Sequence, residues 1–123
     1  MTRKLRVLCL DIEGGFGGSS RSLYELIKNL DFNNVEVEVW CKKKGSIQDK
    51  YQSTGVKTEV FPNMPKITSL PRLSRNLYTF SLFFLKEWFQ SGSFRKHLKA
   101  ESNRFDLIHF NHEGLFLLIA WLA

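Results

Sequence analysis

The sequence holds no run suited to crossing a bilayer: its apolar segment from Leu77 to Leu85 is too short and is stopped by Lys86-Glu87. No secretory leader is expected either, because the run after Met1-Thr2-Arg3-Lys4 is broken at Arg6 and again at Asp11. Cysteine is scarce. Cys9 and Cys41 each sit in an apolar, strand-like run, which predicts two buried, reduced thiols of a cytoplasmic protein rather than a disulfide or a metal pair. There is no internal repeat and no low-complexity tract, so disorder is not expected. Acid is in deficit, with 12 acidic against 18 basic residues and a net charge of +6. That imbalance favours anionic partners and does not choose among nucleic acid, anionic lipid and phosphorylated ligands.

What is present is the make-up of one globular domain, 43% hydrophobic and 24% charged over 123 residues. A chain of this size hides roughly two-thirds of the surface it would expose unfolded, enough for a core. Leu5 to Leu10 reads as a buried strand. Ser19 or Ser20 is placed to cap a helix, whose Leu23, Leu26, Ile27 and Leu30 recur at helical spacing and define a core face. Val35 to Cys41 alternates with period two, the pattern of a strand with one face less buried. Ile47 to Ser53 fits a short helix, Val56 to Phe61 a third strand, and residues 62 to 75, with all three prolines, an irregular basic loop. Arg75 to Gln90 and Phe94 to Glu101 read as helices split by Ser91-Gly92-Ser93, and Phe105 to Asn111 as a fourth strand.

Strands alternating with helices predict an α/β domain: a Rossmann-like parallel sheet with helices on both faces. The run Leu115 to Ala123 has no polar residue. A helix apolar on every side must be enclosed on every side, so residues 1–123 are expected to be the front part of a larger protein, the alternative being a helix that docks on a partner.

The first strand leads through Asp11 into Gly14, Gly15, Phe16, Gly17 and Gly18, then into the first helix. Successive glycines let peptide nitrogens approach a ligand closely, and the helix that follows adds its positive end, which makes a ready site for phosphate. The phosphate loop of nucleotide hydrolases is excluded, because Gly18 is followed by Ser19-Ser20 and not by Lys-Ser/Thr. A dinucleotide fingerprint would place its third glycine at Ser20 and wants an acid after the second strand, where Lys42-Lys43-Lys44 stands. A tight turn with no ligand is the remaining plain reading.

The turn is followed by Arg-Ser-Leu, and together with "KLRVLCLDIEGGFGGSSRSLYELIKNL", "VEVEVWC", "GVKTEVFP" and "FDLIHFNHEG" it resembles the amino-terminal domain of the retaining GT-B glycosyltransferases of family 4. The likeness runs through the chain in order, with residues 62 to 104 matching only in kind. It implies a glycine turn facing the cleft between two Rossmann-like domains, with Gly15, Phe16, Gly17 and Gly18 approaching the phosphates or sugar of a nucleoside-diphosphate donor, where amides would stabilise the leaving group. It also implies that Asn111, His112 and Glu113, beyond the end of the fourth strand, contact acceptor or sugar. His109 itself reads as a buried, hydrogen-bonded core histidine. His109 and His112 have no third ligand at a recognised spacing, no Asp-x-Asp occurs, and neither metal nor any cofactor besides the donor is implied. The resemblance places the donor nucleotide on a carboxyl-terminal domain, or partner chain, that this sequence lacks, so the fragment is expected to be inactive alone.

The middle of the chain is aromatic and basic. Core packing accounts for one face of such a helix; the wider apolar surface, with Phe83, Phe84, Trp88, Lys86 and Arg95, suits peripheral contact with an anionic membrane on its cytoplasmic face. A lipid-linked acceptor would match that placement. Nucleic acid is not expected, since no stacking signature accompanies the basic residues. The leading expectation is thus an acceptor-side glycosyltransferase domain taking a nucleotide-sugar donor and a glycan or lipid-linked acceptor in polysaccharide biosynthesis. Its rivals are a noncatalytic module binding a partner through the apolar terminal helix and a nucleotide-dependent oxidoreductase.

Overall fold

The computed structural model describes residues 3–12, 18–65 and 77–111 together with Leu115, Leu118, Trp121 and Leu122; the side chains of residues 19, 77–80 and 83 lie outside that description. Strands β1 (Leu5–Asp11), β2 (Val35–Cys41), β3 (Lys57–Val60) and β4 (Leu107–Phe110) alternate with helices α1 (Gly18–Lys28), α2 (Ser46–Ser53), α3 (Leu77–Gln90) and α4 (Gly92–Glu101). A 3₁₀ turn, Ser102–Arg104, leads into β4. The strands form one sheet in the order β3-β2-β1-β4, and every pairing is parallel. This is the Rossmann-like α/β arrangement that the alternation of elements predicts.

Because side chains alternate across a strand, the sheet has two inner faces and two cores. Val7, Cys9, Val37, Val39 and Cys41 face Leu23 and Ile27 of α1 and Ile47 and Tyr51 of α2. On the opposite face Leu8, Leu10, Ile12 and Trp40 meet Met64, Phe94 and Leu98, together with Leu115 and Leu118. Helices therefore cover both faces.

Several expectations change at the level of single side chains. Leu26 is 53% exposed, so the core face of α1 is carried by Leu23 and Ile27, with Leu30 packing from its edge. Ser20 does not cap the helix, which begins at Gly18; its hydroxyl donates to Asp11. The second face of β2 is not the drier-versus-wetter alternation its pattern suggests. Glu36 is exposed, yet Trp40 is fully buried among Phe61, Phe94, Phe105 and the His97 ring. Glu38 is buried beside it because three donors meet its carboxylate: Trp40 Nε1 at 3.1 Å, Lys57 Nζ at 3.1 Å and an Arg104 guanidinium nitrogen at 3.2 Å. Leu115 and Leu118, at 1% and 0% exposure, are enclosed by the chain's own second core, with Trp121 and Leu122 packed at its margin.

Asp106 fastens the far end of the sheet. Its carboxylate accepts from the Arg6 backbone amide at 2.9 Å and from the Arg3 guanidinium at 2.7 Å, while its own amide donates to the Arg6 carbonyl at 2.8 Å. These bonds hold its carboxyl below the usual aspartate range, chiefly through the Arg6 amide. Asp106, the acid of the quoted FDLIHFNHEG stretch, is thus a staple between the starts of β1 and β4, remote from the strand ends where His109 and Asn111 lie.

Candidate functional site

In a parallel α/β sheet, ligands collect beyond the carboxyl ends of the strands, where βα turns converge. Here those ends are aligned by backbone bonds: Lys42 donates to the Asp11 carbonyl at 2.9 Å, Asn111 to the Leu10 carbonyl at 3.0 Å, and Phe61 to the Cys41 carbonyl at 2.7 Å. The carboxyl ends of β1 and β4 therefore lie side by side. Gly18 is the first residue of α1 and is exposed, with nothing within 4 Å of where a Cβ would stand. Gly15, Phe16 and Gly17, like His112 and Glu113, lie outside the described residues. Asn111 is half-buried at the end of β4.

His109 is corrected. It is exposed, and its Nε2 lies 3.4 Å from Asn111 Oδ1 on the same side of the strand. The reason is its column in the sheet. His109 pairs in register with Cys9 and Leu107 with Val7, the face packed by α1 and α2, but α1 reaches only the β1–β2 columns and Leu107 is left 53% exposed as well.

Sequence reasoning missed the polar group that holds this edge together. Asp11, the last residue of β1, is fully buried and accepts through one oxygen from Ser20 Oγ at 2.9 Å and from Tyr51 OH at 2.5 Å. Ser20 and Tyr51 are themselves fully buried. Short O–H···O⁻ contacts of this kind are charge-assisted. Burial, then donation to Asp11, pushes the Tyr51 hydroxyl well above its ordinary range. Burial followed by the Asp11 charge raises the thiols of Cys9 and Cys41 to about 12, so both are neutral thiols and not nucleophiles. The only signal in the sequence was an acid closing an otherwise apolar strand.

Lys42 also differs from a ribose- or phosphate-seeking lysine: its ammonium donates to the carbonyls of Pro62 and Met64, tying the end of β2 to the turn after β3. Lys43 and Lys44 are exposed. A concavity of about 410 Å³ opens instead at the amino ends of the strands, between Arg6, Glu36, Glu38, Lys57 and Arg104. Its charges largely satisfy one another through Glu38, and its position is opposite to the βα turns, so it is not the candidate site. Among the described residues no three His, Cys, Asp or Glu side chains converge as a metal would need.

Among the described side chains of α3, Leu82, Leu85 and Phe89 are solvent-facing and apolar, at 51%, 46% and 74% exposure, with Lys86 exposed among them. Phe84 and Trp88 are half-buried and stack with centroids 6.3 Å apart. Arg95 lies 4.1 Å above the Trp88 ring and donates to the Trp88 carbonyl and to Ser91 Oγ. Trp88 and Arg95 therefore serve the packing of α3 against α4, and the Phe83 side chain lies outside the described residues.

A four-stranded parallel sheet covered by helices on both faces defines the class: a Rossmann-like α/β domain. Comparison with known families goes further. The profile of glycosyltransferase family 4 matches residues 16–123, and the chain belongs to that family. No curated protein and no solved structure matches it. No helix among the described residues is long and apolar enough to cross a membrane.

Proposed function

We propose that the chain is the acceptor-side domain of a glycosyltransferase that moves a sugar from a nucleoside-diphosphate donor to a glycan or lipid-linked acceptor, with retention at the sugar carbon. The observation that carries this is family membership over residues 16–123, a span that includes the last two glycines of the turn. Membership supports a sugar donor and acceptor in general; the donor's phosphates are assigned to the glycine turn on chemical grounds. Loss of a nucleoside diphosphate builds negative charge, and peptide nitrogens at Gly15 to Gly18, backed by the start of α1, are suited to receive it. Asn111, at the end of the neighbouring strand, and His112 and Glu113, which follow it in sequence, are proposed to meet acceptor or sugar.

The domain works with a second, donor-binding Rossmann-like domain, so residues 1–123 alone should bind pyrophosphate weakly and transfer nothing. The test joins the chain to such a domain and follows sugar transfer from a panel of labelled nucleotide sugars. Substituting Gly17→Val should cut transfer by at least tenfold while leaving folding intact. Transfer at the unaltered rate would remove the turn from the chemistry.

Peripheral attachment to an anionic cytoplasmic membrane is part of the proposal, and Leu82, Leu85 and Phe89 beside Lys86 support it. Flotation with vesicles of phosphatidylcholine, with and without phosphatidylglycerol, tests it. Binding should need the anionic lipid and weaken with salt, and Phe89→Ser with Leu85→Ser should abolish it; equal recovery with both vesicle types would refute it.

A further inference from the structure

Positive charge is not evenly neutralised across the described residues. Arg3, Arg6, Lys57 and Arg104, at the amino ends of the strands, all pair with carboxylates. Arg95, Lys96 and Lys99 of α4 make no ion pair among the described residues. Arg95 and Lys96 line an open concavity of about 410 Å³ together with Gly92, Ser93 and Trp121, and no described acid lines it. The Arg95 guanidinium is held there by neutral groups. Its Nε donates to Ser91 Oγ at 3.2 Å and one terminal nitrogen to the Trp88 carbonyl at 3.0 Å, while the other terminal nitrogen has no hydrogen bond among the described residues. Its Cζ lies 4.1 Å from the Trp88 ring centroid and 5.6 Å from that of Trp121, and Lys99 Nζ lies 5.6 Å from the Trp121 ring. Two indoles and two neutral oxygens thus fix the fork without cancelling its charge.

An apolar stripe adjoins this place. Leu82, Leu85 and Phe89 recur at helical spacing on α3 and are exposed. The last of them shares a turn with Trp88, whose ring Arg95 covers. A cationic concavity with an apolar stripe leading from it is the complement of an amphiphile with an anionic head.

We propose that the concavity between α4 and Trp121 is a binding site for the phosphate of a single anionic phospholipid, whose chains lie along Leu82, Leu85 and Phe89. The proposal rests on the reading of α3 as membrane-facing and deepens it: attachment is directed to a headgroup phosphate at a defined place, beyond the general attraction of a basic surface. Arg95 meets the phosphate oxygens through its planar fork and Lys96 through its ammonium, while the amphipathic Trp121 ring sits at headgroup level. A guanidinium already fixed by neutral partners loses little freedom on binding, so it holds phosphate better than exposed lysines such as Lys43 and Lys44.

The experiment uses the full chain, observed through its backbone amides and indole N–H groups by proton–nitrogen correlation spectra. The probes are dihexanoylphosphatidylglycerol and dihexanoylphosphatidylcholine, both below their micelle concentrations, and inorganic phosphate. Phosphatidylglycerol should shift the Gly92 to Lys96 amides and the Trp121 indole saturably, and leave the fully buried Trp40 indole unmoved. Phosphatidylcholine and inorganic phosphate should each bind roughly tenfold more weakly, the first for its choline charge, the second for its missing chains. Lys96→Gln should weaken phosphatidylglycerol binding about tenfold. Arg95→Lys should act in the same direction, because it keeps the charge and loses the fork. Lys43→Gln with Lys44→Gln removes more charge elsewhere and should change nothing. If Arg95→Lys does not fold, Lys96→Gln, at an exposed position, decides alone. Inorganic phosphate binding as tightly as phosphatidylglycerol would show a free-anion site and overturn the assignment. So would an equal loss in the Lys43 and Lys44 variant, or no shift at residues 92–96. Saturable shifts in a protein that fails to float with phosphatidylglycerol vesicles would uphold the headgroup site and refute bilayer attachment. Flotation without any such shift would refute the site and leave attachment standing.

Discussion

The two thiols make a quantitative prediction about alkaline stability. Cys9 is 4% and Cys41 0% exposed, and burial with the nearby Asp11 charge raises each from 9.0 to about 12. The folded state thus keeps both protons after the unfolded chain has begun to release them. Their contribution is complete below pH 9 and is lost as pH climbs from 9 toward 12. At pH 10 each thiol has forfeited about 1.4 kcal/mol and the pair roughly 3 kcal/mol, against a total stability on the order of 5–15 kcal/mol. Tyr51, pushed the same way, adds to the decline at higher pH. Urea unfolding followed by tryptophan fluorescence at pH 7, 8, 9 and 10 measures the slope. The Cys9→Ala/Cys41→Ala protein isolates the thiols, since every other titrating group is common to both. Its midpoint should start slightly lower and then fall less steeply above pH 9. Parallel curves for the two proteins would show that the thiols do not titrate differently on folding. Rapid alkylation of the native protein by iodoacetamide at pH 8 would refute the burial argument directly.

Four further outcomes follow from single contacts. Asp106→Asn should flatten the acid limb of stability, because the depressed aspartate supports the fold above its unfolded value of 3.8 and loses that support as pH falls below it; circular dichroism from pH 6 to 2 reads this out. Trp40→Ala should cost about 3–5 kcal/mol in urea unfolding, since the ring is fully buried among four other rings. Gly55→Ala should cost about 1 kcal/mol from its positive φ of 92° alone, because an added Cβ would meet nothing within 4 Å. Leu26→Gln, on the exposed side of α1, should change the midpoint by less than about 0.5 kcal/mol, whereas Ile27→Ala one residue on should cost about 2–5 kcal/mol.

The order and type of the elements were legible because each carries its own period: two in Val35 to Cys41, about four in Leu23 to Leu30. Which apolar residue of a helix meets the core was less so. Leu26 and Ile27 are neighbours in the periodicity, and the tilt of α1 across β1 and β2 selects Ile27. His109 was misread because a histidine in an apolar strand is buried only if its column is covered, and coverage is a property of strand order, not of local sequence. Glu38 and Trp40 inverted an apparently amphipathic strand for a similar reason: partners 66 and 19 residues away, Arg104 and Lys57, neutralise the carboxylate and let the whole face close. Near the candidate site, Asp11 could be seen in the sequence only as the acid ending a strand; its partners are set by the meeting of α1 and α2.

The staple at Asp106 has a consequence for biosynthesis. β1 leaves the ribosome ahead of β2, β3 and β4, yet one of its two sides is completed only by a segment about a hundred residues later, through Arg3, Arg6 and the β4 ladder. Until that segment emerges, the nascent chain carries β1 with an open flank, able to accept a stray strand from a neighbouring polysome product. Delay between the two, by slow codons or a stalled ribosome, prolongs that exposure, and a holdase that shields extended apolar segments would act on this protein during the same interval.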